Sequence, residues 1–455
     1  MPAPAAKPRP ELARDLGVSH AGAIVFGTII GSGIFLVPAE MMQAVGSAKL
    51  VYLVWLVGGL LSFFGALTYA ELGAMKPQAG GEYVYVRDGY GPLAGFLYAW
   101  TWFVIAKPAS IATVTTGLVR ILGTFPVFAF FSNSVVHSVP ISYGQLVAIA
   151  ATVLISLLNY IGIKKAGEFQ LVFTVLKVAI ILGIVLIGFS FSGGNWSHFS
   201  GAYSGARGGI AGFMAALVAA LWAYDGWNDL NMVAGEIRQP ERNIPIALIA
   251  GVATVGALYM LVNAAVQFVL PADAIAASAR PASDAIGLVW GTFGASLVSA
   301  AMAVSMLVTL NGTMMSGARV PFAVARDRYF FSALAEVHPR FHTPSVAILV
   351  QAALSILLLL VGGSFRQLFS LAIFAEWLFY MIAASTVFIF RRRDPQAPRP
   401  YRVWGYPVVP ALFVLSSALL LYYTFTDNLL NSALGCLVIL AGVPVFHAFA
   451  RRRQS

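Results

Sequence analysis

The sequence contains little charge and only one cysteine. Of its 455 residues, 10% are charged and 59% are hydrophobic, whereas about 25% of a soluble domain is charged. No water-soluble fold hides that much apolar surface. The lone cysteine, Cys436, excludes an internal disulfide and a cysteine-rich metal site. The six histidines have no metal-ligand spacing, so we predict neither a metal nor a cofactor.

Long runs of apolar residues occur throughout the sequence. Each run is long enough to cross a hydrocarbon core of about 30 Å. We therefore predict an all-α polytopic membrane protein embedded in the lipid bilayer. Polar breaks divide the chain into twelve predicted transmembrane helices, at about 18–42, 49–74, 93–122, 141–163, 169–192, 209–235, 245–270, 285–318, 344–362, 366–390, 405–426 and 429–449.

The net charge of +10 is distributed unevenly over the predicted loops. Most lysines and arginines lie on the side of the N-terminal tail 1–17 and the C-terminal tail 450–455. Such an excess of positive charge marks the cytoplasmic side of a membrane protein. We therefore predict a multi-pass protein of the plasma (inner) membrane with both termini in the cytoplasm. Because topology explains the basic charge, nucleic-acid binding is not predicted.

The first span is interrupted by the glycine-rich segment Gly27-Thr28-Ile29-Ile30-Gly31-Ser32-Gly33. Each glycine weakens a helix by up to about 1 kcal/mol. If the helix unwinds here, the next half-helix begins with unpaired N–H groups that attract a carboxylate. The alternative is a small-residue face for close helix packing.

A second interruption falls in the sixth span, where Asp225 and Gly226 are adjacent. An acidic residue at this depth is costly unless it faces a cavity or a partner. Paired interruptions in corresponding spans are typical of inverted-repeat transporters with a site near the midplane. A ligand with a carboxylate and an ammonium, such as an amino acid, would satisfy both breaks. The predicted units are a first repeat at 18–192, a second repeat at 209–390 and two additional C-terminal helices at 405–449.

Three segments carry a family resemblance. Gly27 to Phe35 resembles the GTIIGSGIF signature of the amino acid–polyamine–organocation (APC) superfamily, and specifically its L-type amino acid transporter (LAT)-like branch. Ala223 to Asn228 resembles the AYGGWN segment of that branch, and Glu236 to Pro245 resembles its E-x₃-P-x-R-N-I-P loop. The resemblance covers nearly the whole chain. It implies a bacterial-type member with the LeuT-type fold, in which two five-helix repeats are inverted and helices 1 and 6 are unwound.

The resemblance also implies a binding site. Tyr224 and Trp227 are expected to wall the pocket, Trp222 to close over the substrate as a gate, and Glu376 to lie near the substrate side chain. The residues expected to hold the α-amino and α-carboxyl groups are Ile29, Ile30, Gly31, Ser32, Gly33, Trp222, Ala223 and Asp225.

Three positions depart from the family pattern. Asp225 stands where human-type members have Gly, and Glu376 stands where they have Asn. The sequence leaves open whether these carboxylates pair locally, accept protons or meet a cationic substrate. The extracellular cysteine that joins those members to a glycoprotein subunit is absent, since Cys436 lies in the last span. We therefore expect no disulfide-linked heavy-chain subunit, and a monomer or weak homodimer.

Two lysines fall inside predicted spans. Lys177 lies near the middle of the fifth span, where its ammonium cannot easily reach water. Family members with a lysine here use the ammonium where sodium-coupled relatives bind Na⁺, so the break in the first span is its expected partner. The resemblance implies a coupling or gating role for Lys177, Trp222 and Asn311. For Lys107, beside Pro108, stabilisation of a helix kink is favoured over a role in transport.

The predicted function is sodium-independent secondary transport of amino acids by alternating access, as an exchanger of neutral L-amino acids. Two alternatives of the same class are a proton-coupled amino acid symporter and a carrier of cationic amino acids or polyamines. An enzyme is not predicted, because no cluster of nucleophile, base or metal ligands occurs at a membrane face. A non-transporting membrane receptor or a channel is the alternative of a different class.

Overall fold

The computed structural model describes residues 11–136, 139–361, 365–427 and 429–454. Within these ranges, the side chains are described except at residues 136, 139–140, 365–374, 427, 431 and 452–454. The predicted tails 1–17 and 450–455 therefore lie partly outside the described residues.

The described chain is almost entirely helical. An apolar segment in lipid must pair its backbone groups within itself, and an α-helix does this. One two-stranded antiparallel sheet, β1 Ser134–Val136 and β2 Val139–Ser142, precedes α7. The α-helices are α1 Val18–Ile29, α2 Gly33–Val45, α3 Ala48–Met75, α4 Glu82–Tyr90, α5 Pro92–Thr101, α6 Lys107–Leu122, α7 Tyr143–Tyr160, α8 Ile163–Phe189, α9 Gly209–Ala223, α10 Asp229–Met232, α11 Pro240–Val269, α12 Ala272–Ala277, α13 Pro281–Gly317, α14 Arg319–Arg326, α15 Ser345–Val361, α16 Phe365–Arg393, α17 Val408–Asp427 and α18 Leu429–Gln454.

Many of these helices are long and apolar enough to cross a membrane. Large apolar side chains such as Leu154, Leu186 and Leu415 are exposed on their outer faces, where lipid would cover them. The mostly helical, multi-pass membrane architecture predicted from the sequence is confirmed. Among the described residues the nine candidate spans are Val18–Val45, Ala48–Met75, Pro92–Leu122, Tyr143–Tyr160, Ile163–Phe189, Pro240–Val269, Pro281–Arg326, Val408–Thr426 and Ser432–Arg451, with shorter apolar helices at Gly209–Ala223 and Ser345–Val361.

Two of the apolar segments are discontinuous. Helix α1 ends at Ile29, Ile30 leaves the helical conformation with ψ of 85°, and α2 begins at Gly33. Helix α9 ends at Ala223, and α10 begins only at Asp229. Between them Gly226 adopts φ of 102°, a conformation that glycine reaches without the strain a Cβ would cause. The predicted sixth span, 209–235, is therefore divided into a long helix and a single turn, and the interruption lies where the sequence predicted it.

Two further helices are irregular. Residues Trp102–Ala106 form a π-helical turn between α5 and α6, so that the backbone N–H of Lys107 donates to the carbonyl of Trp102. This turn lies beside Lys107 and Pro108, where the sequence predicted a helix kink. Helix α13 is kinked at Gly291, where φ is 64°, and this kink was not predicted.

The two ends of the helix bundle are closed by different contacts. At the end that carries α4, which we call the α4 end, Leu16 pairs with Ile237 through a parallel backbone bridge. At the same end Arg319 forms a fully buried ion pair with Glu236, at 2.8 Å between Nε and Oε2. At the opposite end Gln43 Nε2 donates to the carbonyl of Ala276 at 2.6 Å. The site described next lies between these two ends.

Candidate functional site

A cavity of about 110 Å³ lies where the breaks α1–α2 and α9–α10 meet. Helices α6, α13 and α16 complete its wall. Its lining residues are Thr28, Ile29, Gly31, Ser32, Gly33, Lys107, Ser110, Thr113, Val114, Trp222, Ala223, Asp225, Gly226, Asp229, Met306, Thr309, Thr313 and Glu376.

Most of the residues predicted for the binding site line this cavity. They come from segments far apart in the sequence, because the two breaks and α16 converge here. The predicted residues on the cavity wall are Ile29, Gly31, Ser32, Gly33, Trp222, Ala223, Asp225 and Glu376.

Three predicted residues lie behind the wall instead. The carbonyl of Ile30 accepts hydrogen bonds from Lys177 and Ser305. Tyr224 packs edge-on against Trp55, and Trp227 packs edge-on against Tyr69. Because α9 stops at Ala223, the following side chains no longer keep the helical spacing that would place Tyr224 and Trp227 on the cavity. In this structure these two aromatic residues support the wall from outside and do not form it.

The two breaks contact each other directly. The hydroxyl of Tyr259 lies 3.0 Å from the carbonyl oxygen of Ile29 and 2.8 Å from that of Ala223. The hydroxyl of Thr28 lies 2.8 Å from the carbonyl oxygen of Gly226. The Tyr259 hydroxyl is thus within hydrogen-bond distance of the ends of both α1 and α9, and Thr28 joins the two breaks directly.

The start of α2 can receive an anion. The first N–H groups of an α-helix have no acceptor within the helix, and the Ser32 side chain does not cap α2. Gly31, Ser32 and Gly33 all line the cavity. The positive end of the helix dipole therefore faces the cavity, and a carboxylate is the natural organic partner for it.

The remaining cavity wall carries three carboxyl groups and one amine, from Asp225, Asp229, Glu376 and Lys107. Lys107 Nζ lies 2.6 Å from Asp229 Oδ1, and only 6% and 2% of the two side chains are exposed. Asp225 Oδ1 accepts from the Tyr380 hydroxyl at 3.0 Å, and Glu376 Oε1 accepts from Ser110 at 3.2 Å. One ion pair is thus complete. Asp225 accepts from a hydroxyl and from the backbone of Gly226, Glu376 accepts from a hydroxyl, and among the described residues neither has a cation of its own.

Thr113 offers a further polar contact. Its hydroxyl is buried on the cavity wall and has no hydrogen-bond partner within the described part of the chain. A buried hydroxyl without a partner is costly, and a ligand in the cavity would supply one.

Comparison with known proteins agrees with this geometry. The profile of the family described as Amino acid permease matches residues 16–444. The chain belongs to the amino acid permease family. This confirms the family predicted from the sequence, and it accords with a wall that presents amides and carboxyl groups.

Three relatives of the permease illustrate the family. The serine/threonine exchanger SteT of Bacillus subtilis is 33% identical over 447 residues, with 98% of each chain covered. The cystine/glutamate transporter of Homo sapiens is 29% identical, covering 98% of this chain and 87% of the human one. The b(0,+)-type amino acid transporter 1 of Homo sapiens is 30% identical, with 96% and 88% covered. All three names describe transporters or exchangers, not enzymes.

Lys177 of the permease lies behind the first break. Its Nζ donates to the carbonyl of Ile30 at 2.5 Å and to that of Gly27 at 3.0 Å. Lys177 lies on α8 and its side chain is buried, so carbonyl groups solvate the ammonium in place of water. The contact that the sequence predicted between the fifth span and the first break is present.

Asn311 lies away from the cavity. Its Nδ2 donates to Gln170 Oε1 at 2.7 Å and to the carbonyl of Ala166 at 3.0 Å, and its Oδ1 accepts from Asn159 at 2.9 Å. It therefore joins α13 to α7 and α8. The predicted coupling or gating role of Asn311 would have to act through this packing.

Several lining residues of the permease were missed by the sequence reasoning. Asp229 is the most informative, because it is the partner of Lys107. Two signals could have found it: it lies four residues after Asp225, and a buried lysine is costly unless an anion or carbonyl groups compensate its charge. Among the described residues no group of three or more His, Cys, Asp or Glu side chains is placed to hold a metal ion. The missed lining residues are Thr28, Ser110, Thr113, Val114, Gly226, Asp229, Met306, Thr309 and Thr313.

Proposed function

We propose that this permease exchanges amino acids across the membrane by alternating access and without Na⁺. The main support for the proposal is the cavity between the breaks α1–α2 and α9–α10. An α-carboxylate suits the amide end of α2, and an α-ammonium suits Asp225 beside the carbonyl end of α9. The likeness to a bacterial serine/threonine exchanger over 98% of the chain supports exchange in particular.

Sodium independence is supported by Lys177. The ammonium already occupies the carbonyl groups of Gly27 and Ile30. A sodium ion needs several oxygen ligands of this kind, and like charge repels it from an occupied site. In this proposal the ammonium ties α8 to the first break and replaces the ion.

The proposed topology has twelve spans. It consists of inverted repeats at 18–192 and 209–390, and two further helices at 405–449, as in the LeuT-type fold. The cationic loops would place the α4 end, with both terminal tails, in the cytoplasm. The buried pair of Glu236 and Arg319 would then close the cytoplasmic side, and its separation would accompany opening to that side.

The proposed assembly is a monomer or weak homodimer without a disulfide-linked heavy-chain subunit. Cys436 lies on α18 as a free, partly buried cysteine. A cysteine within an apolar helix is poorly placed to bond a separate subunit.

The side-chain specificity depends on Glu376 and Asp225. The sequence predicted neutral amino acids as substrates. The structure adds an observation in favour of the second candidate, a cationic side chain. With Lys107 already paired and Asp225 meeting the α-ammonium, Glu376 is left to face the substrate side chain. A cationic side chain would compensate this carboxylate, whereas a neutral one would require Glu376 to be protonated.

We expect Glu376→Gln to reduce competition by arginine and lysine by about tenfold relative to glutamine and leucine. A hydrogen bond to a charged group contributes about 1.5–3 kcal/mol, and about 1.4 kcal/mol corresponds to a factor of ten. The measurement is inhibition of labelled exchange by a panel of amino acids. Glu336→Gln changes an exposed glutamate away from the cavity and serves as the control. An unchanged competitor profile would show that Glu376 is only structural, and a wild type that ignores basic amino acids would favour the neutral prediction.

The proposed function is tested by exchange in proteoliposomes. Vesicles loaded with an amino acid mixture are expected to accumulate labelled amino acid, and vesicles without internal amino acid are expected to accumulate little. Replacement of Na⁺ by choline should leave the rate unchanged. Binding without accumulation would indicate a receptor, and equal uptake by empty vesicles would contradict exchange. Uptake that is driven by a proton gradient in empty vesicles would indicate a symporter.

A further inference from the structure

Glu82 is a buried acidic residue outside the substrate cavity. It lies at the start of α4, and its side chain is fully buried. Asn228 Nδ2 donates to its Oε1 at 2.6 Å, and the Tyr98 hydroxyl donates to its Oε2 at 3.3 Å. Lys107, the cation that acts on it electrostatically, is already paired with Asp229. Both side-chain donors to the carboxyl group are neutral, and among the described residues it has no counter-ion of its own.

A chain of hydrogen bonds joins Glu82 to the cavity. The amide of Asn228 donates to Glu82 through Nδ2 and can accept from the Tyr380 hydroxyl through Oδ1, at 3.1 Å. The same hydroxyl lies 3.0 Å from Asp225 Oδ1. Asp225 lines the cavity. Two side chains, those of Asn228 and Tyr380, therefore separate Glu82 from Asp225, the proposed partner of the substrate ammonium.

Tyr380 can serve only one acceptor at a time. A phenol carries a single proton, so its hydroxyl donates either to Asp225 or to Asn228. When Asp225 lacks a cation, its charge attracts this proton. When a substrate ammonium neutralises Asp225, the hydroxyl can turn to Asn228, whose amide then becomes a stronger donor to Glu82. This change favours the ionised form of Glu82.

Glu82 can change its protonation state near neutral pH. Burial is the main cause that raises the pKa of the Glu82 carboxyl to about 7. The hydrogen bonds from Asn228 and from the Glu82 backbone lower this pKa, as does the charge of Lys107, whereas the charge of Asp229 raises it. The titratable groups that face Glu82 from its own and neighbouring helices are Tyr69, Tyr85, Tyr98, Lys107, Asp229 and Tyr380.

We propose that Glu82 is a proton-binding site coupled to the substrate cavity, so that binding of an amino acid at Asp225 releases a proton from Glu82. The inference rests on the proposed function, because it requires an ammonium at Asp225. The O–H bond of the Glu82 carboxyl breaks, the electron pair stays on the carboxylate, and the proton passes to solvent. By linkage, the affinity for the amino acid must rise as the pH increases through the pKa of Glu82.

The experiment measures protons released on binding by the purified full-length chain. A mixture of the twenty protein L-amino acids, adjusted to the pH of the sample, is added in weak buffer with a pH indicator dye. At pH 7 Glu82 is about half protonated, so we expect release of up to about half a proton per protein. Glu82→Gln should abolish the release, and Tyr380→Phe should reduce it at least by about half because the connection to Asp225 is broken. Glu336→Gln, at an exposed glutamate, should release protons like the wild type.

A second measurement does not depend on variants. The dissociation constant of the wild type for a labelled amino acid should fall about threefold or more between pH 6 and pH 8. Binding without proton release, release that persists in Glu82→Gln, or a dissociation constant independent of pH would each overturn the proposal while leaving exchange intact. Failure to bind or exchange any amino acid would instead overturn the proposed function, and this inference with it.

Discussion

Replacing Lys177 with alanine is expected to slow amino acid exchange by about tenfold or more, while substrate binding largely remains. The substitution leaves the carbonyls of Gly27 and Ile30 without their ammonium donor. Leaving buried polar groups unsatisfied costs about 1–3 kcal/mol, and about 1.4 kcal/mol changes a rate tenfold. This free-energy cost applies to the state in which Lys177 joins α8 to the first break. The equilibrium between the outward and inward states therefore shifts, and the return from one to the other slows. The measurement is exchange and substrate binding in parallel, with Na⁺ present and with choline in its place.

Lys164→Ala provides the matched control. Lys164 is exposed near the start of the same helix, so the same substitution removes a charge without touching the break. Wild-type exchange rates in Lys177→Ala would remove Lys177 from the mechanism. A wild type that loses exchange when Na⁺ is replaced would contradict the proposed replacement of the ion by the ammonium.

Gly226→Ala is expected to reduce exchange by more than about tenfold without preventing membrane insertion. Gly226 has φ of 102°, and an L-residue in a left-handed conformation loses about 1–2 kcal/mol. The added Cβ would also lie 3.0 Å from the backbone carbonyl carbon of Thr28, so the two breaks would be pushed apart. The measurement is exchange in proteoliposomes normalised to the amount of inserted protein.

Gly183→Ala is the control for this substitution. Gly183 lies within α8, and a Cβ there meets nothing within 4 Å. Its exchange rate should match that of the wild type. Normal exchange by well-inserted Gly226→Ala would show that the breaks tolerate separation, and that their close contact is not required for exchange.

The parts of the fold that depend on local pattern could be predicted from the sequence. Apolar runs predict membrane helices because lipid leaves no other way to pair the backbone. The glycines around Gly31 and the acidic Asp225 beside Gly226 mark the two breaks for the same reason: each is unfavourable in a continuous membrane helix. The predicted contact of Lys177 followed from the cost of an unsolvated ammonium at mid-membrane.

The remainder depends on contacts that no local pattern encodes. The choice of Asp229 as the partner of Lys107 depends on how α6 and α10 approach each other. The directions of Tyr224 and Trp227 depend on the residue at which α9 ends, and a shift of one residue turns a side chain by about 100°. The sequence around Asn311 would be the same whether this residue gated transport or joined helices. Only its hydrogen bonds to α7 and α8 show that it joins helices.

The π-helical turn Trp102–Ala106 makes one wall of the cavity tolerant of a change in chain length at a single place. Such a turn holds one residue more than an α-helical turn in the same place. Deleting one residue there would restore a regular helix and leave α6 close to its present orientation relative to α5. Lys107, Ser110 and Thr113 would then stay on the cavity wall. The same deletion within α6 would instead turn every residue beyond it by about 100°, so a change in length that the site survives is expected at this turn and not further along the helix.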